Sequence, residues 1–193
     1  ELVHAGHLGT DDNWRERRRL VLKSGEIHSH LKPLIEAAHA NRLSLAVFKP
    51  TKILAFTWEP ASREWESAKV DKIRNRADQG ELFGEDDGKR TLKLIPKLPY
   101  KFSYRFVDAD GRESEMQILD WEIGQLYWNC LTHEHGNEAT ALQKVRLKYL
   151  DAFLKTDLHF FLGTTQQYHG WATNPFVIIG VFPIPPERQR ELF

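Results

Sequence analysis

The sequence predicts an α+β fold, with an antiparallel sheet and several helices packed against it. Residues 100–106 alternate aromatic and polar side chains, which is typical of a strand with one buried face. Residues 176–182 are apolar on both faces, as expected of a central strand. Between them, residues 121–153 carry apolar side chains at helical spacing. These three observations together indicate mixed structure around one sheet.

The N-terminal part, residues 1–77, is predicted to mix helices and strands. Good N-cap residues precede a strongly basic helix, and Ser29 is predicted to cap a second one. Two strands separated by Lys49-Pro50 follow. The predicted basic helix lies at 14–22, the second helix follows Ser29, and the strands lie at 43–48 and 53–58. Because the chain opens on residues typical of a strand end, we expect a further region of the protein upstream of Glu1.

A linker is predicted at residues 78–92, acidic in its first half and basic at its end. Residues 78–88 hold five acids and three glycines with almost no apolar side chain. The linker is followed by an α+β domain of order ββααββ at 93–186 and by a tail at 187–193. In this domain the strands are predicted at 100–106, 113–119, 158–162 and 176–182, and the helices begin after Asp120 and after Asn137.

Composition excludes several classes of protein. The 27 basic and 27 acidic side chains give zero net charge, which disfavours a constitutive, high-affinity binder of duplex nucleic acid. No apolar run approaches the roughly 18–20 residues that cross a bilayer, and no signal peptide is recognisable. One cysteine excludes an internal disulfide and favours a reducing compartment. We therefore expect a cytoplasmic protein with no membrane contact, cofactor or small-molecule substrate.

Motifs for nucleotide-driven or nucleophilic chemistry are absent from the sequence: it contains no GxxxxGK, no GxGxxG and no nucleophile elbow. A metal-dependent nuclease needs carboxylates that hold Mg²⁺ and a lysine that orients water. The nearest matches are Asp120 with Glu113 and Glu115, which lack a suitably spaced lysine, and Glu66–Lys69, which lies on a predicted helix. We expect no catalytic residue.

Cys130, His133 and His135 lie within six residues and could bind a metal ion. A closed zinc site needs four ligands in paired spacing, and no second Cys/His pair lies nearby in sequence. The alternative is a cysteine on a helix face followed by a solvated polar loop. We expect no metal site.

Nucleic-acid binding has more support from the sequence. Residues 89–106 hold six basic side chains and no acid, and the last of these alternate with aromatic residues. Positive charge attracts the phosphate backbone, and exposed rings stack on bases. If Lys101 and Arg105 face solvent, however, the rings of this strand face the core and cannot stack, so an ordinary half-buried strand is the alternative.

Two further segments support contact with nucleic acid. A basic helix carries Arg15, Arg17 and Arg18, although a solvated helix face explains these residues equally well. The segment 163–175 joins two predicted strands and places aromatic residues among small polar ones, where rings are harder to assign to a core. The alternative is that Trp171 packs under the edge of the sheet. The predicted nucleic-acid contacts are Arg15, Arg17, Arg18, Lys101, Arg105, Tyr168 and Trp171.

Four segments of the chain resemble the prokaryotic "dual OB-containing domain" family of uncharacterised proteins. The resemblance covers about residues 10–186 and is carried by 11–18 (DDNWRERR), 95–106 (IPKLPYKFSYRF), 120–125 (DWEIGQ) and 160–164 (FFLGT). It implies two OB-like, partly open barrels, one of which residues 1–77 would complete with a region upstream of Glu1, and a context of antiviral defence or mobile elements. Relatives carry Cys and His where this sequence has 108–114 (DADGRES), so no ligand role at that turn is carried over.

The sequence thus favours a non-enzymatic nucleic-acid-binding module, with single-stranded DNA or RNA as the preferred ligand, in a bacterial defence or mobile-element system. The alternative is a protein-interaction or scaffold subunit that meets a partner protein of the same system through the same surfaces. A metal-dependent nuclease is the third hypothesis.

Overall fold

The computed structural model describes residues 15–24, 26–67, 70–71 and 95–185. The predicted linker at 78–92 and the tail at 187–193 lie outside the described residues. The chain divides into two compact units, the first formed by Glu1–Thr57 with Phe102–Phe193 and the second by Trp58–Lys101. The predicted division into parts at 1–77 and 93–186 stays a prediction.

The described residues form four α-helices and seven strands, which confirms the α+β class. The helices are α1 (Arg15–Ser24), α2 (Leu31–His39), α3 (Trp121–His133) and α4 (Glu138–Arg146). A π-helical segment (Leu147–Ala152) and a 3₁₀ turn (Phe153–Lys155) follow α4. The strands are β1 (Ile27–His28), β2 (Leu45–Phe48), β3 (Lys52–Pro60), β4 (Tyr100–Val107), β5 (Glu113–Ile118), β6 (Asp157–Thr164) and β7 (Phe176–Ile184). None of the helices in the described ranges is long and apolar enough to cross a membrane.

Local sequence explains how α3 and α4 begin. The Asp120 carboxylate accepts the backbone N–H of Glu122 at 2.9 Å, and the Asn137 side chain accepts that of Thr140 at 3.1 Å. Each side chain satisfies a backbone donor that the first turn of a helix leaves without an intrahelical acceptor. Gly136, with φ of 87°, provides the left-handed residue between the two helices.

The prediction that Ser29 caps α2 is wrong by one residue. The N-cap is His30, whose side chain makes no capping hydrogen bond. The first N–H of the helix, that of Leu31, instead donates to the buried carboxylate of Asp108 at 3.3 Å. The carbonyl of Ser29 accepts the Ala109 N–H at 2.8 Å. The turn between β4 and β5 therefore supplies the capping acceptor, Asp108. Because Asp108 is 77 positions from Leu31, no local pattern could reveal this cap.

The seven strands form one sheet of order β1-β2-β6-β7-β5-β4-β3. The β1–β2 and β5–β7 pairs are parallel, so the sheet is mixed and the expectation of a purely antiparallel sheet is wrong at those two pairs. The β2–β6, β6–β7 and β4–β5 pairs are antiparallel. Strands from both sides of the predicted linker thus pair in the same sheet. The strand β7 lies at its centre, as its two apolar faces predict.

The sheet of the first unit is strongly curled. Only residues 49–51 join β2 to β3, although four strands lie between them in the sheet order. Crossing a flat sheet would require about 24 Å at the usual strand spacing. The chain from Phe48 to Lys52 spans at most about 14 Å when extended. The sheet must therefore bend until the end of β2 reaches the start of β3. Consistent with this bend, the ring centroids of Phe48 and Phe106 lie 5.4 Å apart.

The core lies on the inner face of the curled sheet. The rings of Phe102, Tyr104 and Phe106 are fully buried, and Tyr104 stacks on Phe160 with centroids 5.2 Å apart. The half-buried interpretation of β4 is therefore confirmed, and these rings are not available to stack on bases. Helices α2, α3 and α4 contribute further buried apolar side chains, namely Leu31, Leu34, Ile35, Ala38, Ile123, Tyr127, Ala141, Leu142 and Val145.

We expect stability to fall at alkaline pH because of Tyr104. Its hydroxyl donates to the Tyr149 carbonyl, and burial raises the pKa of the Tyr104 phenol well above its ordinary value. In the unfolded chain a tyrosine ionises near pH 10, so stability is retained below about pH 10 and is lost as the pH rises towards the raised folded pKa. Urea denaturation between about pH 8 and 11 should show this loss, and it should be smaller in Tyr104→Phe.

The control for this experiment is Tyr168→Phe, which changes an exposed ring. It should keep the wild-type pH dependence. A denaturation midpoint that stays constant across the same range in the wild type would contradict the role assigned to Tyr104.

Candidate nucleic-acid interface

The predicted contacts on the basic helix belong to α1. Arg15, Arg17 and Arg18 lie in its first turns. Their side chains fall outside the described part of the structure, so the prediction for them stays a prediction.

The two predicted cations of β4 are exposed but already paired with acids. In the second unit, Lys101 Nζ lies 2.9 Å from Glu59 Oε1. In the first unit, Arg105 Nη2 lies 3.5 Å from Glu113 Oε2. Because a neighbouring carboxylate balances each charge, this strand attracts phosphate less strongly than its sequence indicates.

The loop between β6 and β7, residues 165–175, is wound into a compact turn. The carbonyl of Thr165 accepts the backbone N–H groups of Tyr168 and His169, each at 3.0 Å, and the Ala172 N–H donates to the Tyr168 carbonyl at 3.2 Å. The indole N–H of Trp171 donates to the Gln167 carbonyl at 2.7 Å. We call this segment the β6–β7 loop.

Both aromatic side chains predicted in this loop are exposed, Tyr168 to 41% and Trp171 to 70%. Their ring centroids lie 5.5 Å apart with an interplanar angle of 55°. The two rings therefore contact each other but do not form a parallel slot for a base between them. A base can stack on the exposed face of Trp171.

The β6–β7 loop is fastened to the connection between α2 and β2, residues 39–44, which we call the α2–β2 corner. The His169 ring bridges the two: Nδ1 lies 2.7 Å from Thr164 Oγ1, and Nε2 lies 3.1 Å from Asn41 Oδ1. His39 Nε2 lies 2.8 Å from the Ala172 carbonyl. Asn41 itself adopts the left-handed conformation, with φ of 55°. The corner thus holds the loop that presents the rings.

Sequence reasoning missed the α2–β2 corner. It lies more than 120 residues from the loop, since His169 and Asn41 are 128 positions apart. Residues 37–48 and 158–175 contain no acidic side chain, which is visible in the sequence. The sequence thus shows that each segment lacks acidic residues, but it does not indicate that the two segments lie together in the fold. Only the fold shows that these two acid-free segments are joined.

Residues 28–193 match the model of a protein family described as "Domain of unknown function (DUF8757)". The chain belongs to this family. No curated protein and no solved structure matches it. The matched residues contain both the α2–β2 corner and the β6–β7 loop of this DUF8757 chain, whereas α1 lies before them.

The acids considered for a nuclease make structural contacts in the DUF8757 chain. Asp120 caps α3, and its other carboxylate oxygen accepts the Val181 N–H at 3.4 Å. Glu113 pairs with Arg105, and Glu115 accepts the hydroxyl of Thr57 at 3.1 Å. Within the described residues, no three His, Cys, Asp or Glu side chains are grouped closely enough to hold a metal ion.

Cys130 lies on α3 with partial exposure, and His133 ends that helix. Burial raises the pKa of the Cys130 thiol, with Lys144 and Lys148 lowering it and Glu134 raising it. Because a thiolate is the form that binds zinc, the raised pKa disfavours metal binding here. His135 is one residue beyond Glu134 and has φ of 52°, in the turn before α4.

Proposed function

We propose that this chain is a non-enzymatic nucleic-acid-binding module that prefers single strands, with the β6–β7 loop as its central contact. One observation carries the proposal: an exposed Tyr168–Trp171 pair stands in a loop held by His169, and neither the loop nor the α2–β2 corner contains an acidic residue. Exposed rings stack on unpaired bases at roughly 1–3 kcal/mol each. The faces of paired bases inside a duplex are covered by their neighbours, so single strands are the favoured ligand.

The strand order supports an OB-type, partly open barrel as part of this proposal. If β2 and β3 count as one strand interrupted at residues 49–51, the curled sheet has five barrel strands, and β4, β5, β6 and β7 are the second to fifth. OB-folds bind oligonucleotides on the face of strands two and three and on the loop between strands four and five. Here those are the outer face of β4–β5 and the β6–β7 loop.

The resemblance to the dual OB-containing domain family agrees with one such barrel. The second barrel and the context of defence or mobile elements are implied by that resemblance alone. The proposal for the β6–β7 loop depends on neither of them.

The test is a fluorescence-anisotropy titration of labelled single-stranded DNA, single-stranded RNA and duplex DNA at two salt concentrations. We expect binding to at least one single-stranded ligand that weakens as salt rises, because phosphate contacts release counterions. Equal affinity for the duplex would contradict the role of unpaired bases. Absence of binding to all three ligands at low salt would overturn the proposal.

The double variant Lys101→Glu/Arg105→Glu should weaken binding and flatten its salt dependence. Each cation is already paired with a glutamate. We therefore expect the affinity to fall by only about two- to fivefold, less than on removal of a stacked ring. The same titration measures it, with Lys148→Glu on the segment after α4 as the charge control. Unchanged affinity would remove β4 from the interface.

A protein partner is the second candidate, because the outer face of β2, β6 and β7 is apolar. Leu45 is 65% and Ile179 is 44% exposed. Both lie against Gly163, where an added Cβ would be 3.0 Å from Ile179 Cγ2 and 3.5 Å from Leu45 Cδ2. Exposed apolar surface of this kind marks protein contacts. Binding through this face should change little with salt, which separates it from phosphate-driven binding.

A further inference from the structure

Arg42 occupies a position in the α2–β2 corner that the predicted contacts did not include. It follows Asn41, the residue whose side chain meets the His169 ring at 3.1 Å. Its own backbone N–H donates to the Ala37 carbonyl at 2.9 Å, which fixes the chain at the end of α2. Two residues later, the Ser44 carbonyl accepts the Thr164 N–H at 3.0 Å. The backbone of Arg42 is therefore held on both sides, in the corner that is fastened to the β6–β7 loop.

Arg42 has no acidic partner among the described residues. Its side chain is exposed. Arg105, by comparison, is paired with Glu113. The two stretches, 37–48 and 158–175, contain no carboxylate that could pair with Arg42. An exposed guanidinium in such surroundings is well suited to a phosphate oxygen.

We propose that Arg42 is the phosphate-contacting residue of the interface, and that His169 is the positioning residue that joins it to the ring pair. The ligand is a single-stranded phosphodiester chain that stacks a base on Trp171 and places a phosphate on Arg42. This inference rests on the proposed function. It adds a second segment, more than 120 residues away in sequence, to the loop.

The test compares Arg42→Gln with Lys148→Gln, a matched loss of one exposed cation outside both segments. In anisotropy titrations across a salt series, Arg42→Gln should weaken binding of a labelled single-stranded oligonucleotide roughly three- to tenfold. It should also reduce the slope of log K against log salt by about 0.7, the value for one phosphate contact on a single strand. Lys148→Gln should change neither quantity.

The positioning role of His169 has its own readout. His169→Ala should lower the affinity and reduce the salt slope even though Arg42 is intact, because the corner and the loop are no longer joined. His169→Gln can still donate to the side-chain Oδ1 of Asn41 and should recover much of both the affinity and the salt slope. Equal losses for His169→Ala and His169→Gln, or a normal slope in His169→Ala, would overturn this role.

The outcomes separate the inference from the function on which it rests. If the wild type binds and Trp171→Ala weakens binding, but Arg42→Gln keeps the wild-type slope, the role of Arg42 is overturned and the proposed function stands. If the wild type binds no single strand at low salt, the proposed function falls and Arg42 has no phosphate to contact. The inference is supported if the salt slope is reduced in Arg42→Gln and unchanged in Lys148→Gln.

Discussion

Trp171→Ala is expected to lower the affinity for a single-stranded oligonucleotide by about five- to 150-fold, the equivalent of roughly 1–3 kcal/mol for one lost base stack. The ring is 70% exposed and contacts Tyr168 rather than the core. Its removal should therefore leave the melting temperature close to that of the wild type. Fluorescence anisotropy measures the affinity, and thermal denaturation checks the fold.

The chain offers a matched control for this experiment. Trp121, the first residue of α3, is 75% exposed and lies outside the loop and the corner. Trp121→Ala should leave the affinity unchanged, whereas Trp171→Phe, which keeps an aromatic face, should retain most of it. If Trp121→Ala and Trp171→Ala weaken binding equally, the β6–β7 loop is not the stacking site.

Phe106→Ala is expected to have the largest effect on stability, a loss of about 3–5 kcal/mol in the free energy of unfolding. The buried ring lies between Phe48, with centroids 5.4 Å apart, and Phe160, with centroids 5.6 Å apart. It thus connects β2, β4 and β6 on the inner face of the curled sheet. For a chain of this length the loss should lower the melting temperature by roughly 6–20 °C.

Two further variants define the origin of this loss. Phe106→Leu leaves a smaller cavity and should cost clearly less than the alanine variant. Leu45→Ala removes an exposed side chain and should change stability by at most about 0.5 kcal/mol. A cost below about 1 kcal/mol for Phe106→Ala would show that the ring cluster does not hold the curled sheet together.

Local pattern was sufficient to predict most elements of the fold. The alternation in β4 predicted its buried and exposed faces, and the apolar run of β7 predicted a central strand. Asp120 was predicted to cap α3, and its side chain makes the capping hydrogen bond. Gly136-Asn137 was predicted to separate α3 from the next helix, and the Asn137 side chain caps α4. These features depend on side chains within a few positions of one another, which is why the sequence reveals them.

The incorrect predictions share a physical cause. Asp108, 77 positions away, receives the Leu31 N–H, so the α2 cap could not be inferred from the residues around Ser29. The parallel pairing of β5 with β7 joins strands that are separated by two helices. The sequence contains the partners in each case, but it does not state which distant segments meet.

The features of the candidate interface were likewise determined in part by the local sequence and in part by the tertiary structure. Composition and spacing alone determined that the β6–β7 loop carries Tyr168 and Trp171 among small polar residues, which disfavours a place in the core. The tertiary structure decided that both rings are exposed and that Lys101 and Arg105 are paired with acids. It also decided that the corner containing Arg42 is joined to the loop, because the His169–Asn41 contact brings together residues that lie 128 positions apart.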